Sequence, residues 1–346
     1  MKRYKYLFFG LILTTSFHAK SDTELSKTIT KNYSVDEMMR LSIKNSFGKI
    51  EVTNWDKNEF DIVVEITVEG SSQQRAEKKL AEIKVAIDET SEEISFTTDI
   101  DDMNNKNGES FEVNYTIRMP ASNPVSLKNS FGDIFLSDRR GPAVIDLSYG
   151  ALKAQSLFDR SEIEVSFGKA YIDVLDRGEI TIKYSEVEIE SSTDLEMNME
   201  FSDVEIETVE KLELEAKYGS VEIGQVGDLD AEASFNGLSI ERLTSSLMLE
   251  AKYVSDFEID LVESSFRLID IKGKFSSFEL NLAPDLSADI EAEFEFSDLK
   301  ASGVNIDYSY RVKESNESEY RGKINGGNPD KRIIIDSSYG NCKIYQ

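Results

Sequence analysis

The chain has 346 residues, of which 39 are lysine or arginine and 66 are aspartate or glutamate, so its formal net charge is −27 at pH 7. A negative charge of this size disfavours binding to nucleic acid or to anionic membrane surfaces and is compatible with binding of cations. A single cysteine, Cys342, excludes an intramolecular disulfide, and a single histidine, His18, leaves the later residues without a histidine for a catalytic triad or a zinc site.

Residues 1–19 have the layout of a secretory signal peptide. Basic residues, an apolar run and a small residue follow one another as Lys2, Arg3 and Lys5, then Leu7 to Phe17, then Ala19. The apolar run is too short to span a bilayer, and no later stretch is apolar enough for a membrane helix. We therefore predict a bacterial protein that is exported to the periplasm or the cell surface and has no membrane span.

Residues 20–124 are predicted to form a β-rich capping region with one helix. Residues 72–86 carry apolar side chains at helical spacing, and alternating patterns indicate strands at 41–53, 60–68, 93–98 and 110–119. Such a cap would cover the open end of a sheet, where unpaired backbone groups invite pairing with other chains. Residues 99–109 resemble a calcium-binding loop in composition but not in ligand spacing.

From residue 125 onward a pattern repeats every 17 or 18 residues. Its marker is an aromatic residue, found at Phe131, Tyr149, Phe167, Tyr184, Phe201, Tyr218, Phe235 and Tyr253. Apolar and polar side chains alternate before each marker, and apolar ones return at offsets of three and five, as in Val187 and Ile189 after Tyr184. Alternation indicates strands with one buried face, and a short fixed period indicates stacked units. We predict an all-β fold, a β-solenoid of 17–18 residues per coil, over residues 125–346.

The corner of each unit is predicted just after the aromatic residue. Gly132, Gly150, Gly168 and Gly219 follow four of these residues and can take positive φ without penalty. In a stack of coils the aromatic residues form a ladder of rings. We interpret this structural ladder as a spine along an inner edge of the core, and the alternative is an exposed strip that binds sugar rings.

The last part of the chain is predicted to contain a polar loop at residues 313–331 and a final coil at residues 332–345. Cys342 stands three residues after Tyr339, at an offset that apolar residues occupy in earlier units. We therefore predict that Cys342 is a buried core residue and not a reactive thiol.

Two columns of glutamates are predicted at outward positions. One contains Glu188, Glu205 and Glu222, and the other contains Glu215, Glu232 and Glu250. Like charges about 4.8 Å apart repel each other unless they are screened, or bridged by a cation such as Ca²⁺. A solvated acidic face is the main interpretation, the first column is kept as a candidate metal site, and no cofactor is predicted.

Asp-Arg pairs recur at 138–139, 159–160 and 176–177. We interpret them as aspartates that close turns and arginines that pair with nearby carboxylates. The alternative is a row of arginines, including Arg140, that binds an anionic ligand.

Several segments in a fixed order carry a resemblance to a known family. They are NSFGKIEVTNWD (45–56), a strand-helix-strand insertion, YTIRMPAS (115–122), NSFGDIFL (129–136) and SSYGNCKIY (337–345). With these segments the chain resembles the bacterial putative-adhesin family of exported β-solenoid proteins, over nearly the whole mature chain. The resemblance implies a right-handed β-helical fold and a location in the cell envelope, and it implies no catalytic residues.

The sequence is compatible with three functions. The favoured one is a non-enzymatic module of the cell envelope that binds an unknown protein or glycan, or acts as a scaffold. The second is a periplasmic partner of an envelope-stress signalling system. The third is a polysaccharide-active enzyme that uses a pair of carboxylates, an idea that rests on fold analogy alone.

Overall fold

The computed structural model describes residues 23–101, 110–255 and 257–346, which are all-β apart from one helix. The signal peptide predicted for residues 1–19 and most of the candidate calcium loop at 99–109 lie outside these ranges. Within the ranges, we find no helix with the length and hydrophobicity needed to cross a membrane.

The N-terminal region pairs its strands in both directions. Its elements are β1 (Thr23–Ser34), β2 (Arg40–Ser46), β3 (Ile50–Asn54), β4 (Glu59–Gly70), α1 (Gln73–Glu82), β5 (Ile83–Glu89), β6 (Glu93–Ile100) and β7 (Ser110–Met119). Strands β2 and β3 pair in parallel with β6 and β7. Strand β4 lies antiparallel between β1 and β7, and β5 pairs antiparallel with β6. These antiparallel strands cover the outer edge of the first repeat.

The predicted helix is shorter than the sequence pattern indicates. Helix α1 ends at Glu82, and residues 83–86 belong to β5 instead. Ile83, Val85 and Ile87 alternate with exposed residues, and β-branched side chains fit a pleated sheet better than a helix. Because β6 offers β5 an antiparallel partner, this tertiary pairing decides the conformation.

The repeats stack in parallel with a register that equals the sequence period. Val125 pairs with Ala143, Ala143 with Ser161, Ser161 with Gly178 and Gly178 with Leu195. The apolar residues at offsets of three and five, such as Val187 and Ile189, are buried in one continuous core. The strands are β8 (Val125–Ser130), β9 (Ile134–Leu136), β10 (Ala143–Ser148), β11 (Ala151–Leu157), β12 (Ser161–Ser166), β13 (Lys169–Lys183), β14 (Glu186–Lys252), β15 (Phe257–Val262), β16 (Leu268–Lys274) and β17 (Phe278–Leu282).

The last segment of the chain is not the last layer of the sheet, which corrects the prediction of a final coil at 332–345. The C-terminal strands are β18 (Ala288–Glu295), β19 (Leu299–Ser302), β20 (Ile306–Lys313), β21 (Glu317–Ile324), β22 (Arg332–Ser338) and β23 (Cys342–Tyr345). Strand β22 lies between β16 and β18, and β23 lies between β17 and β19, with all four pairings parallel. The last two strands of the chain are therefore inserted between pairs of strands that precede them in the sequence.

The polar loop predicted at residues 313–331 contains a strand. Strand β21 pairs antiparallel with β18 on one side and with β20 on the other. Its inward positions are Ser318, Tyr320, Gly322 and Ile324, which are all buried. Two of these four side chains are small or polar, so the alternation that marks a strand is hidden in the sequence.

The prediction for Cys342 is confirmed. Its side chain is fully buried, and burial raises the pKa of the thiol. A thiol that stays protonated and shielded is a packing residue and not a nucleophile.

Candidate functional site

Twelve aromatic side chains stack into one continuous ladder, which we call the aromatic strip. The distances between successive ring centroids are 4.6–5.3 Å, and successive ring planes are within 14° of parallel. In spatial order the members are Phe47, Phe131, Tyr149, Phe167, Tyr184, Phe201, Tyr218, Phe235, Tyr253, Phe275, Tyr339 and Phe296. The eight residues that mark the sequence repeat all lie in it.

The rings lie on the outside of the sheet, so the expectation of an inner edge is wrong. All the members except Phe47 are 40–52% exposed. Every member has a backbone φ between 51° and 61°, in the left-handed region. Side chains alternate between the two faces only while the backbone stays extended, and the left-handed residue turns each ring outward. The corner is therefore at the aromatic residue and not just after it.

Between its two ends the aromatic strip exposes ring edges and not ring faces. A centroid distance near 5 Å leaves no room for another ring between two members, because each ring contact needs about 3.5–4.0 Å. At the N-terminal end Phe111 packs edge-on against Phe47, at 5.1 Å. The sequence left open an exposed strip that binds sugar rings. A sugar ring cannot stack on an aromatic face between two members, because there is no space for it. Edges with partial positive charge contact apolar groups, carbonyl oxygens or other rings.

Phenylalanine and tyrosine alternate strictly along the strip from Phe131 to Phe296. Tyrosines in every second repeat lie roughly 10 Å apart, twice the spacing of neighbouring strands. We find no hydrogen bond from these five hydroxyls to any other residue in the described ranges. They are free to donate to a ligand at regular intervals along an apolar surface.

Glycine is needed after the rings mainly because the backbone of the preceding repeat lies too close for a side chain. Of Gly132, Gly150, Gly168 and Gly219, only Gly219 has a positive φ, of 135°. A Cβ on any of the other three would lie within 2.4 Å of a carbonyl oxygen of the preceding repeat. This corrects the role predicted for them, because the aromatic residues themselves take the left-handed conformation.

Replacing Gly219 by alanine is expected to destabilise the protein by at least about 2 kcal/mol. The added Cβ would lie 1.8 Å from the carbonyl oxygen of Ser202, and φ is unfavourable for any L side chain. Gly237→Ala is the matched control, because its nearest atom would be 4.0 Å away and the change is expected to shift stability by less than about 1 kcal/mol. Urea unfolding followed by circular dichroism measures both, and equal midpoints for the two variants would contradict the prediction.

An exposed acidic surface borders the middle of the aromatic strip, and we call it the acidic face. It consists of Glu186, Glu188, Glu190, Asp203, Glu205, Glu207 and Glu222, which are all exposed. The three candidate metal ligands, Glu188, Glu205 and Glu222, lie at equivalent positions of three successive repeats within β14. With Asp203 and Ser220 they line a shallow concavity of about 320 Å³.

Within the described ranges, no group of three or more His, Cys, Asp or Glu side chains could hold a metal ion. The second glutamate column differs in its partners, because Glu215 pairs with Lys217 and Glu250 pairs with Lys272. The hydrogen bond to Glu215 raises the pKa of Lys217, as that to Glu186 raises the pKa of Lys169. The second column is therefore partly neutralised, and most of the acidic face is not.

Two of the three Asp-Arg pairs lie together, because Asp159, Arg160 and Arg177 line one concavity, but Arg139 is not part of that row. The Nε atom of Arg177 lies 3.8 Å from the Oδ2 atom of its neighbour Asp176, so these two side chains form an ion pair. Arg139 is fully buried and pairs with Leu157 of the next repeat, so it occupies a core position. Its guanidinium donates to the Asn54 side-chain oxygen at 3.0 Å and to the carbonyl oxygens of Pro120 and Asn123, at 2.9 and 2.6 Å. Burial lowers the pKa of Arg139 to about 10. Through these hydrogen bonds Arg139 joins its own segment to Asn54 and to residues 120–123.

No model of a protein family matches this chain, and no curated protein matches it significantly. Solved structures do match. A putative cell adhesion protein from Clostridium sporogenes is 10% identical, with a TM-score of 0.19, over 94% of this chain and 100% of its own. A putative adhesin from Parabacteroides distasonis is 8% identical, with a TM-score of 0.28, over 92% and 97%. A putative lipid binding protein from the same species is 9% identical, with a TM-score of 0.27, over 92% and 96%.

The first two of these names agree with the family that the sequence resembles.

Proposed function

We propose that this chain is an exported, non-enzymatic β-solenoid that serves as an adhesin-like binding module of the cell envelope, with the aromatic strip as its ligand surface. The parallel register in steps of 17 or 18 residues supports the solenoid. The signal-peptide layout of residues 1–19 supports export. A chain with no histidine after residue 18 supports binding over histidine-dependent catalysis.

The observation that carries the proposal is the exposed area of the strip. Eleven rings are 40–52% exposed, and at about 200 Å² per aromatic side chain they present roughly 1,000 Å² of contiguous apolar surface. The largest apolar patch of a typical monomer is about 300–600 Å², and one side of a standard protein interface is about 800 Å². The strip is therefore large enough to be a complete interface.

The backbone at the corners adds a second argument. A left-handed conformation costs an L residue roughly 1–2 kcal/mol, and asparagine or glycine adopts it more easily. The corner by itself therefore does not call for an aromatic residue at any of the twelve positions. Stacking contributes about 0.5–1.5 kcal/mol per pair, which offsets the backbone cost without making the aromatic choice strongly favourable. Binding of a ligand to the rings would explain why aromatic residues occupy these positions.

A strip variant with Tyr184→Asn, Phe201→Asn and Tyr218→Asn tests the proposal. Asparagine keeps the left-handed corner while it removes the rings. We expect that ligands bound by the unmodified protein on arrays of immobilised glycans and peptides lose at least tenfold in signal with the variant. The measurement is array binding followed by titration of each positive.

The control variant carries Val144→Asn, Phe158→Asn and Met248→Asn, three apolar side chains that are 41–46% exposed and lie outside the strip. It is expected to bind like the unmodified protein. A strip variant that is folded and keeps full binding to every ligand would overturn the assignment of the ligand surface.

A further inference from the structure

We propose that the aromatic strip and the acidic face together bind a cationic amphipathic polypeptide segment of a partner protein, an inference that rests on the proposed function. The two surfaces are contiguous along the chain. Glu186 follows Tyr184, and Asp203 follows Phe201, each with one buried serine between ring and carboxylate. A ligand seated on the rings therefore meets carboxylates along one side.

The charge of the acidic face is largely uncompensated. Glu186 pairs with Lys169, and Asp203 accepts a hydrogen bond from the Ser220 hydroxyl at 2.6 Å. Across the described ranges, the other five carboxylates of the face make no ion pair. Equivalent carboxylates on neighbouring strands lie about 4.8 Å apart, where like charges in water repel by about 1 kcal/mol. Lysine or arginine side chains of a ligand would relieve this repulsion.

The chemistry of the strip selects among ligands. The acidic face repels nucleic acids, acidic glycans and phosphate groups. A neutral glycan would leave the carboxylates without partners, and the rings offer it no faces for stacking. A polypeptide supplies apolar side chains for the ring edges and carbonyl oxygens for the free tyrosine hydroxyls. Basic residues beside an apolar stripe complete the match, as in a basic amphipathic helix.

The occupant is a partner segment and not a second copy of this chain. Each copy carries a net charge of −27, so two copies repel each other at long range. A helical segment of about 18 residues is long enough to cover about six successive rings, because a helix rises 1.5 Å per residue and the ring centroids are 4.6–5.3 Å apart.

The probe is a synthetic helical peptide of about 18 leucine and lysine residues with one apolar stripe, which spans about 27 Å. Isothermal titration against the full chain measures its dissociation constant. We expect at least tenfold weaker binding to the strip variant. We expect at least fivefold weaker binding to a face variant with Glu188→Gln, Glu205→Gln and Glu222→Gln, and this loss should shrink when salt screens the charges.

Total charge is controlled by a column variant with Glu215→Gln, Glu232→Gln and Glu250→Gln, which removes the same charge from the other column. Its binding is expected to stay within twofold of that of the unmodified protein. Equal losses in the face and column variants would mean that the peptide follows net charge, and would overturn the inference.

Ligand identity is controlled by a leucine-glutamate peptide of the same pattern and by a lysine-serine peptide without the apolar stripe. Both are expected to bind at least tenfold more weakly than the leucine-lysine peptide. Strip-dependent binding of the leucine-glutamate peptide or of a glycan, but not of the leucine-lysine peptide, would overturn this inference and leave the proposed function standing. Absence of strip-dependent binding to any ligand would overturn both.

Discussion

Removal of residues 331–346 is expected to unfold the sheet from β18 to β21 while the repeats before β15 stay folded. Strands β22 and β23 are the parallel neighbours of β16 to β19, and they bury Ile333, Ile335 and Ile344 almost completely. Burial of one such side chain contributes about 1.5–3 kcal/mol, so the three contribute roughly 5–9 kcal/mol. Earlier repeats contact only their own neighbours and do not depend on this end.

Hydrogen exchange of backbone amides, read by mass spectrometry, measures the outcome. Protection should be lost over residues 288–324 and kept over residues 143–223. Addition of a synthetic peptide with the sequence of residues 329–346 should restore protection, because the slot between the two layers is refilled. Full protection of residues 288–324 in the shortened chain would show that β18 pairs directly with an earlier strand.

Replacement of Arg139 by methionine is expected to destabilise the protein by about 2–5 kcal/mol. Three oxygen atoms lose their donor, and an unpaired buried acceptor costs about 1–3 kcal/mol. Asn54 is exposed and can bond to water instead, so the cost falls mainly on the carbonyl oxygens of Pro120 and Asn123. Removal of a buried charge without a charged partner offsets part of this loss. Arg139→Lys should also destabilise, because one ammonium group cannot reach three oxygens that a planar guanidinium reaches together.

Unfolding can be followed at this junction by fluorescence. Trp55, the only tryptophan of the chain, is adjacent to Asn54, which accepts a hydrogen bond from Arg139. Arg160→Met is the matched control, because Arg160 is exposed at a neighbouring corner, and it should change stability by less than about 0.5 kcal/mol. An Arg139→Met protein with unchanged stability would mean that the three oxygens find other donors.

The sequence predicts the repeats well because their signals are local. Alternation marks the strands, and the spacing of the aromatic residues equals the register of the parallel pairs. The spacing also identifies which residues form the ladder, but it does not predict that their rings are exposed. Leu195, Met197 and Met199 point inward, and the same parity places Phe201 inward as well. The left-handed backbone at Phe201 breaks that parity, and the return of apolar residues at odd offsets is its only trace in the sequence.

Long-range pairing is what the sequence could not predict. The pattern identifies residues 332–345 as a unit of the repeat, but nothing local tells that unit to pair with β16 and β18. Arg139 looks like the other arginines of its Asp-Arg pairs, although its register places it beside Leu157 in the core. The sequence predicts three of the seven carboxylates of the acidic face, Glu188, Glu205 and Glu222, as one column. The position of the face beside the rings follows only once the corner is placed at the aromatic residue.

The position of β22 and β23 also sets the order in which the molecule is assembled. Residues 288–324 precede residues 332–345 in the chain, yet they reach their place only after β22 lies beside β16 and β23 beside β17. Until then the growing sheet has an open edge with unpaired backbone groups. This late intermediate is the stage at which a chaperone or a second chain can add a strand, and completion of the chain closes that opportunity.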